Sequence, residues 1–265
     1  LFDAASSIHS AVHVKRPWFF RAVLPTFLLL LATTPALAQS LRYEEYIAAT
    51  KEGSSYLYRL EYTEAIRFFT ELERQHPEHP GPPLAQAVSI WLRELFARQE
   101  LNLDHFLSPG YFGKDSGREM PEADRKAYFD LISRSRELAE RHLERYPGNK
   151  DARYYLGAIE GAQGSFALTI ERRYLKALQH GKKAYQYQKA ILDEDPEFAD
   201  SYMAVGTYEY VLDNLPWYIK WIATMAGYRG NEERGFEYLI RAAKEGKLVY
   251  NEARILLMIL YMREE

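Results

Sequence analysis

The 265-residue chain contains no cysteine. Disulfides, thiolate-held metals and a lipid-modified cysteine at an export site are therefore excluded. Neither charge is in marked excess: 34 Lys and Arg stand against 37 Asp and Glu, which argues against a nucleic-acid-binding or polybasic membrane-binding protein. No segment alternates apolar and polar residues with a period of two, so essentially no sheet is expected. No methionine precedes Met120, and residues 1–13 read as an over-extended start that carries no fold assignment.

Motifs of catalysis are also missing. There is no G-x-S-x-G and no H-E-x-x-H. "PGYFGKDSG" (109–117) lacks the four residues that a phosphate loop places before its Gly-Lys, and Asp115 after Lys114 would repel a phosphate. "HPEHP" (76–80) spaces two histidines by three, but its prolines prevent the helix face on which two imidazoles could converge on a metal. Glu94, Glu100 and Asp104 lie near one another without a partner histidine, and read as part of a solvated helix face. No cofactor is implied, and the chain reads as a non-enzyme.

What is present begins with an address. Lys15, Arg16 and Arg21 precede an apolar run from Ala22 to Ala32, which is too short to span a bilayer comfortably, and Pro35 to Ala38 ends in a small-x-small pattern. Residues 1–38 are thus expected to be a signal peptide cut after Ala38. The remainder, 39–265, would be exported to the periplasm or the extracellular side.

The next feature is a repeat. In residues 46–79, Gly53, Tyr56, Tyr62, Ala65, Phe69 and Pro77 fall where a 34-residue tetratricopeptide repeat places Gly, Tyr, Tyr, Ala, Phe and Pro. Small residues are needed where two antiparallel helices touch, Phe69 fills the space between them, and Pro77 stops the second helix. Pro147 with Leu156-Gly157, and Pro196 with Val205-Gly206, repeat the pattern at a spacing of 49 residues. The expected fold is an all-α solenoid of tetratricopeptide-like helix pairs with inserted segments at 163–176 and 214–230. Helices are predicted over 42–59, 62–76, 83–101, 122–146, 151–164, 166–179, 181–194, 199–212, 217–226, 231–245 and 250–263, with an irregular connection at 104–121. The apolar stretch "EARILLMILY" (252–261) has no helix after it to cover it, so further repeats are expected beyond Glu265.

Several stretches, "YYLG" (154–157), "YMAVGTYEYVLDNLPW" (202–217), "GYRGNEERGFEYLIRAAKEGK" (227–247) and "EARILLMILY", carry a resemblance to exported bacterial tetratricopeptide-repeat proteins of unassigned activity. More distantly, Leu215-Pro216, Gly230-Asn231 and Gly235 to Leu239 are similar to the eukaryotic tetratricopeptide-repeat-39 and inclusion-body-clearance family. The resemblance implies a concave groove lined by the first helix of each pair. Mapped onto this chain, the groove positions include Ile47, Thr50, Ser54, Leu57 and Tyr58, then Asp151, Tyr154 and Ala158, then Asp200, Met203, Thr207 and Tyr210. Tyr, Met and Thr suit an apolar or mixed peptide or helix of an unidentified envelope partner. The expected function is a protein–protein interaction scaffold; the alternative is a membrane-surface protein with residues 215–228 as an interfacial foot, using Trp217, Trp221 and Tyr228. Within that segment Leu215, Ile219, Ile222 and Ala226 form one apolar stripe, and Trp217, Trp221 and Met225 another. A helix apolar on two sides is expected to bury both against its neighbours.

Overall fold

Prolines, asparagines and left-handed turns set the helix boundaries. The computed structural model describes residues 41–42, 44–101, 117–215, 217–225 and 227–264, and side chains there other than those of 218, 219, 222, 263 and 264. The signal-peptide assignment and most of the 104–121 connection lie outside the described residues. Ten α-helices and no strand occur among the described residues: α1 (Glu44–Tyr58), α2 (Tyr62–Gln75), α3 (Gly81–Ala97), α4 (Glu122–Arg145), α5 (Lys150–Thr169), α6 (Tyr174–Glu194), α7 (Ser201–Asp213), α8 (Trp217–Met225), α9 (Glu232–Glu245) and α10 (Tyr250–Glu264). The protein is all-α.

Local chemistry explains the ends. Pro82 and Pro83 sit in the first turn of α3, where a missing N–H costs nothing. Asn149 accepts from the Ala152 N–H at 2.8 Å to cap α5, and Asn231 accepts from the Arg234 N–H at 2.7 Å to cap α9. Leu60, with φ 63°, turns the chain from α1 into α2.

Each helix packs on its successor, except that α9 packs on α7 and α8 only touches α7; α3 also meets α5, and α5 meets α7. One core cluster gathers Ala65, Phe69, Tyr128, Ile159, Phe166 and Ile191, with the rings of Tyr128 and Phe166 stacked at 4.1 Å. A second gathers Val205, Tyr210, Leu239, Ala253 and Leu257. A Cβ on Gly206 would lie 2.8 Å from the Gly235 carbonyl oxygen and 3.0 Å from the Leu239 nitrogen, so α7 and α9 meet backbone to backbone. Gly53 lies against the Phe69 ring.

One expectation is corrected. The three helices predicted over 151–194 are two, α5 and α6, separated only by residues 170–173, where Arg172 has φ 56°. Gly164 and Gly181 are not breakers. A Cβ on Gly164 would contact the Ala177 oxygen and the His180 Cβ at 3.4 Å, so it allows α5 and α6 to approach closely. The extra length at 163–176 therefore lengthens both helices of the pair. The second insertion does hold a separate helix, α8. At the end of the chain α10 packs on α9, while Ile255, Met258, Tyr261 and Met262 are exposed.

Candidate groove and aromatic face

The candidate groove residues divide into two sets. Ile47, Tyr154 and Tyr210 are buried, so they do not form an open surface as expected. Tyr210 belongs to the core between α7 and α9. Ile47 lies on α1, and Leu41 and Arg42 just before that helix reach Asp151 and the ring of the buried Tyr154 on α5. The Leu41 N–H donates to Asp151 Oδ2 at 3.0 Å, and its carbonyl accepts from His79 Nε2 at 2.6 Å. Arg42 is ion-paired with Asp200, and its guanidinium lies 4.1 Å from the Phe198 ring and 5.4 Å from that of Tyr154. Asp200 also accepts from the N–H groups of Leu248 and Val249, at 2.8 and 3.1 Å, just before α10. At the other end of α1 the half-exposed Tyr58 donates to Glu252 at 2.6 Å, and Lys51 faces the Tyr250 ring at 5.2 Å. Burial, then the Glu252 charge, pushes the Tyr58 hydroxyl well above its ordinary pKa. Ser54 is half-buried.

His79 is a structural member of this junction. Its Nδ1 accepts from the Gly81 N–H at 3.0 Å, which assigns the proton to Nε2, the atom facing the Leu41 carbonyl. The ring stacks on Tyr46 at 3.7 Å between centroids. Burial pushes its pKa down from 6.5 to about 4.

Met203 and Thr207, by contrast, line an open apolar groove of about 340 Å³ between α5, α6 and α7. Gly161 and Leu168 of α5, Leu178 of α6 and Tyr208 of α7 complete its walls, with Val211 and Leu215 also on the lining. A Cβ built on Gly161 meets nothing within 4 Å, so this glycine opens directly onto free space. The Thr207 hydroxyl donates to the Met203 carbonyl at 2.7 Å, which turns its polar atom away from the lining. The glycines at 161, 164 and 181 were the sequence signal for this groove, and periodicity alone does not distinguish them from breakers.

The acidic residues read as a solvated face are instead interior. Glu94 and Glu100 are buried. Glu94 is paired with Arg98 at 2.8 Å and Arg118 at 3.4 Å, and Glu100 with Arg172 at 2.9 Å. Asp104 lies outside the described residues. Two more buried carboxylates behave alike: Glu160 meets Arg136 and His180 Nδ1, both at 2.7 Å, and Glu171 meets Arg125 at 2.7 Å and Lys176 at 2.8 Å. Burial alone would raise the Glu171 pKa, but hydrogen bonds from Lys176 and Arg125 outweigh it and hold the carboxyl below its ordinary value. Among the described residues, no three His, Asp or Glu side chains converge as a metal site.

The aromatic segment departs most from expectation. Trp217, Trp221 and Met225 are 82%, 66% and 74% exposed, so this stripe is not packed on neighbouring helices. The physical reason is the α7–α9 contact: Gly206 and Gly235 bring those helices together directly, leaving α8 outside the pair. Ala223 of α8 is buried and Leu215 half-buried, while the side chains of Ile219 and Ile222, and residues Pro216 and Ala226, lie outside those described. Lys220 Nζ donates to both the carboxylate and the carbonyl of Asp213 at 2.6 Å, tying α8 to the end of α7. Tyr228 is half-buried, with Lys182 Nζ 4.6 Å from its ring centroid. No described helix is long and apolar enough to cross a membrane.

In comparisons with known proteins, no family model, curated protein or solved structure matches the chain.

Proposed function

We propose that this protein is a non-enzymatic interaction scaffold of tetratricopeptide-like helix pairs, exported to the cell envelope, which holds an apolar peptide or helix of an envelope partner between α5, α6 and α7. The pairs are α1–α2, α3–α4, α5–α6 and α7–α9, with α10 packed on α9. The solenoid reading is supported by the contacts between successive first helices, α3 with α5 and α5 with α7, and by small residues at the pair contacts. The observation that carries the binding site is the apolar groove lined by Met203 and Thr207. Apolar walls with few polar groups suit burial of a partner's hydrophobic face. The interior charges described above are engaged in pairs, which favours binding over catalysis.

Gly161→Leu provides the test. The new side chain enters the groove without meeting protein atoms at its Cβ. Leucine also favours a helix interior over glycine by roughly 0.5–1 kcal/mol, so the fold should be as stable or slightly more so. In crosslinking pull-downs of the full-length protein from its host, the wild type should capture an envelope partner and Gly161→Leu should lose it. The same partner captured equally well by a folded Gly161→Leu protein would refute the groove assignment.

A further inference from the structure

Two segments of this chain contain no carboxylate. Residues 172–192 carry six cations, Arg172, Arg173, Lys176, Lys182, Lys183 and Lys189, and residues 214–231 carry Lys220 and Arg229. Such local bias is notable in a chain whose formal net charge is only −3. The fold brings the two segments together. Lys182 lies over the Tyr228 ring, and one groove is lined by Tyr174, Leu178 and Gly181 of the first and by Leu215 of the second. Around this junction Trp217, Trp221, Met225 and Leu175 are exposed, as are Arg173, Lys183 and Arg229. The carboxylates beside it in the chain are compensated: Asp213 by Lys220, Glu171 by Arg125 and Lys176, and Glu209 by Arg234. Glu232 and Glu233 begin α9 beyond Asn231.

We propose that α8 and the first half of α6 form a docking surface for an anionic lipid bilayer. The proposal goes beyond the partner groove and does not rest on it. Spacing by four sets Trp217, Trp221 and Met225 along one side of a nine-residue helix. Tryptophan favours the headgroup boundary, where its ring is in apolar contact and its N–H stays wet. At about 1.5 Å per residue the helix is far too short to span a bilayer, so it enters the interface only. The exposed Arg173 and Lys183 of the α6 segment, with Arg229 just after α8, supply attraction to anionic headgroups, which neutral lipid would not provide. Charge complementarity thus selects the lipid class, and the tryptophans set the depth.

The test uses the full chain and vesicles of phosphatidylglycerol or phosphatidylcholine, plain or brominated in the acyl chains. Comparing wild type with Trp217→Ser/Trp221→Ser isolates the emission of these two residues from that of Trp18 and of Trp91, whose Nε1 is bonded to Thr169 at 2.9 Å. The difference emission should be quenched by brominated phosphatidylglycerol, and far less by brominated phosphatidylcholine. Quenching should weaken as salt rises and fall about tenfold in Arg173→Glu/Lys183→Glu. Both double variants should keep the wild-type melting temperature, since they change exposed residues. Unquenched difference emission with phosphatidylglycerol would overturn the proposal. So would quenching equal for both lipids and indifferent to the charge reversal, or lipid-free capture of a protein lost in the tryptophan variant without vesicle binding. Gly161→Leu should leave vesicle binding unchanged, so failure of the groove and failure of this surface give different results.

Discussion

His79 shows how much one side chain can be asked to do. Its two ring nitrogens serve the Leu41 carbonyl and the Gly81 N–H, and protonation would abolish the second bond inside a site that disfavours charge. Its pKa is about 4 when folded, against 6.5 ordinarily. The unfolded chain therefore binds more protons between those values, and stability falls as pH drops from 6.5 through 4. The full contribution, present above pH 6.5, is at most about 3 kcal/mol. Urea unfolding of wild type and His79→Gln at pH 7.5, 5.5 and 4.5 should show their difference shrinking as pH falls. A constant difference would mean that the imidazole does not titrate in this range. The sequence marked His79 only as an unsuitable metal ligand; its bond to Leu41, 38 residues away, left no local trace.

At the scale of helices, small residues were legible and their consequences only partly so. Gly206 was readable as a contact from its place 49 residues after Gly157 in the expected repeat, and the Gly235 oxygen, 2.8 Å from where a Cβ would stand, shows why it is small. Gly206→Leu should cost about 1–3 kcal/mol or more, since backbone atoms cannot step aside as a side chain could. A lowered urea midpoint would confirm this, and an unchanged one would contradict the register. The breaks predicted inside 151–194 fall beside Gly164 and Gly181, and a glycine inside a helix pattern has two physical meanings, a break or a close approach, between which only the neighbouring helix decides. The same limit applied to α8. The Trp217, Trp221 and Met225 stripe was visible in the spacing, but whether anything would cover it depended on how closely α9 approached α7. Of the residues expected along the concave face, Met203 and Thr207 line the apolar cleft between α5, α6 and α7, whereas Ile47 and Tyr154 are buried by contacts between distant parts of the chain.

Across the whole unit from Leu41 to Glu265, Arg42 and Asp200 join parts of the chain 158 residues apart. Both side chains are almost fully buried. Asp200→Asn removes the carboxylate charge that faces the Arg42 guanidinium inside the protein, so it should destabilise by about 3–5 kcal/mol, and Arg42→Met/Asp200→Asn should recover part of that loss. Equilibrium unfolding of the two single variants and the double variant would measure the coupling; additive effects would show that the pair is not energetically joined.

The contact of Tyr58 with Glu252 sets an order in time. α1 is the first of these helices to leave the ribosome, yet Glu252, the partner of Tyr58, is made 194 residues later, and Tyr250 lies close by it. At roughly 5–20 residues per second, α1 waits on the order of ten seconds or more with that side uncovered. Closing so long a loop adds little to the equilibrium cost beyond that of a shorter one, but it places the contact late among folding events. A nascent chain that ends before α10 would hold its first helix ready for whatever meets it first.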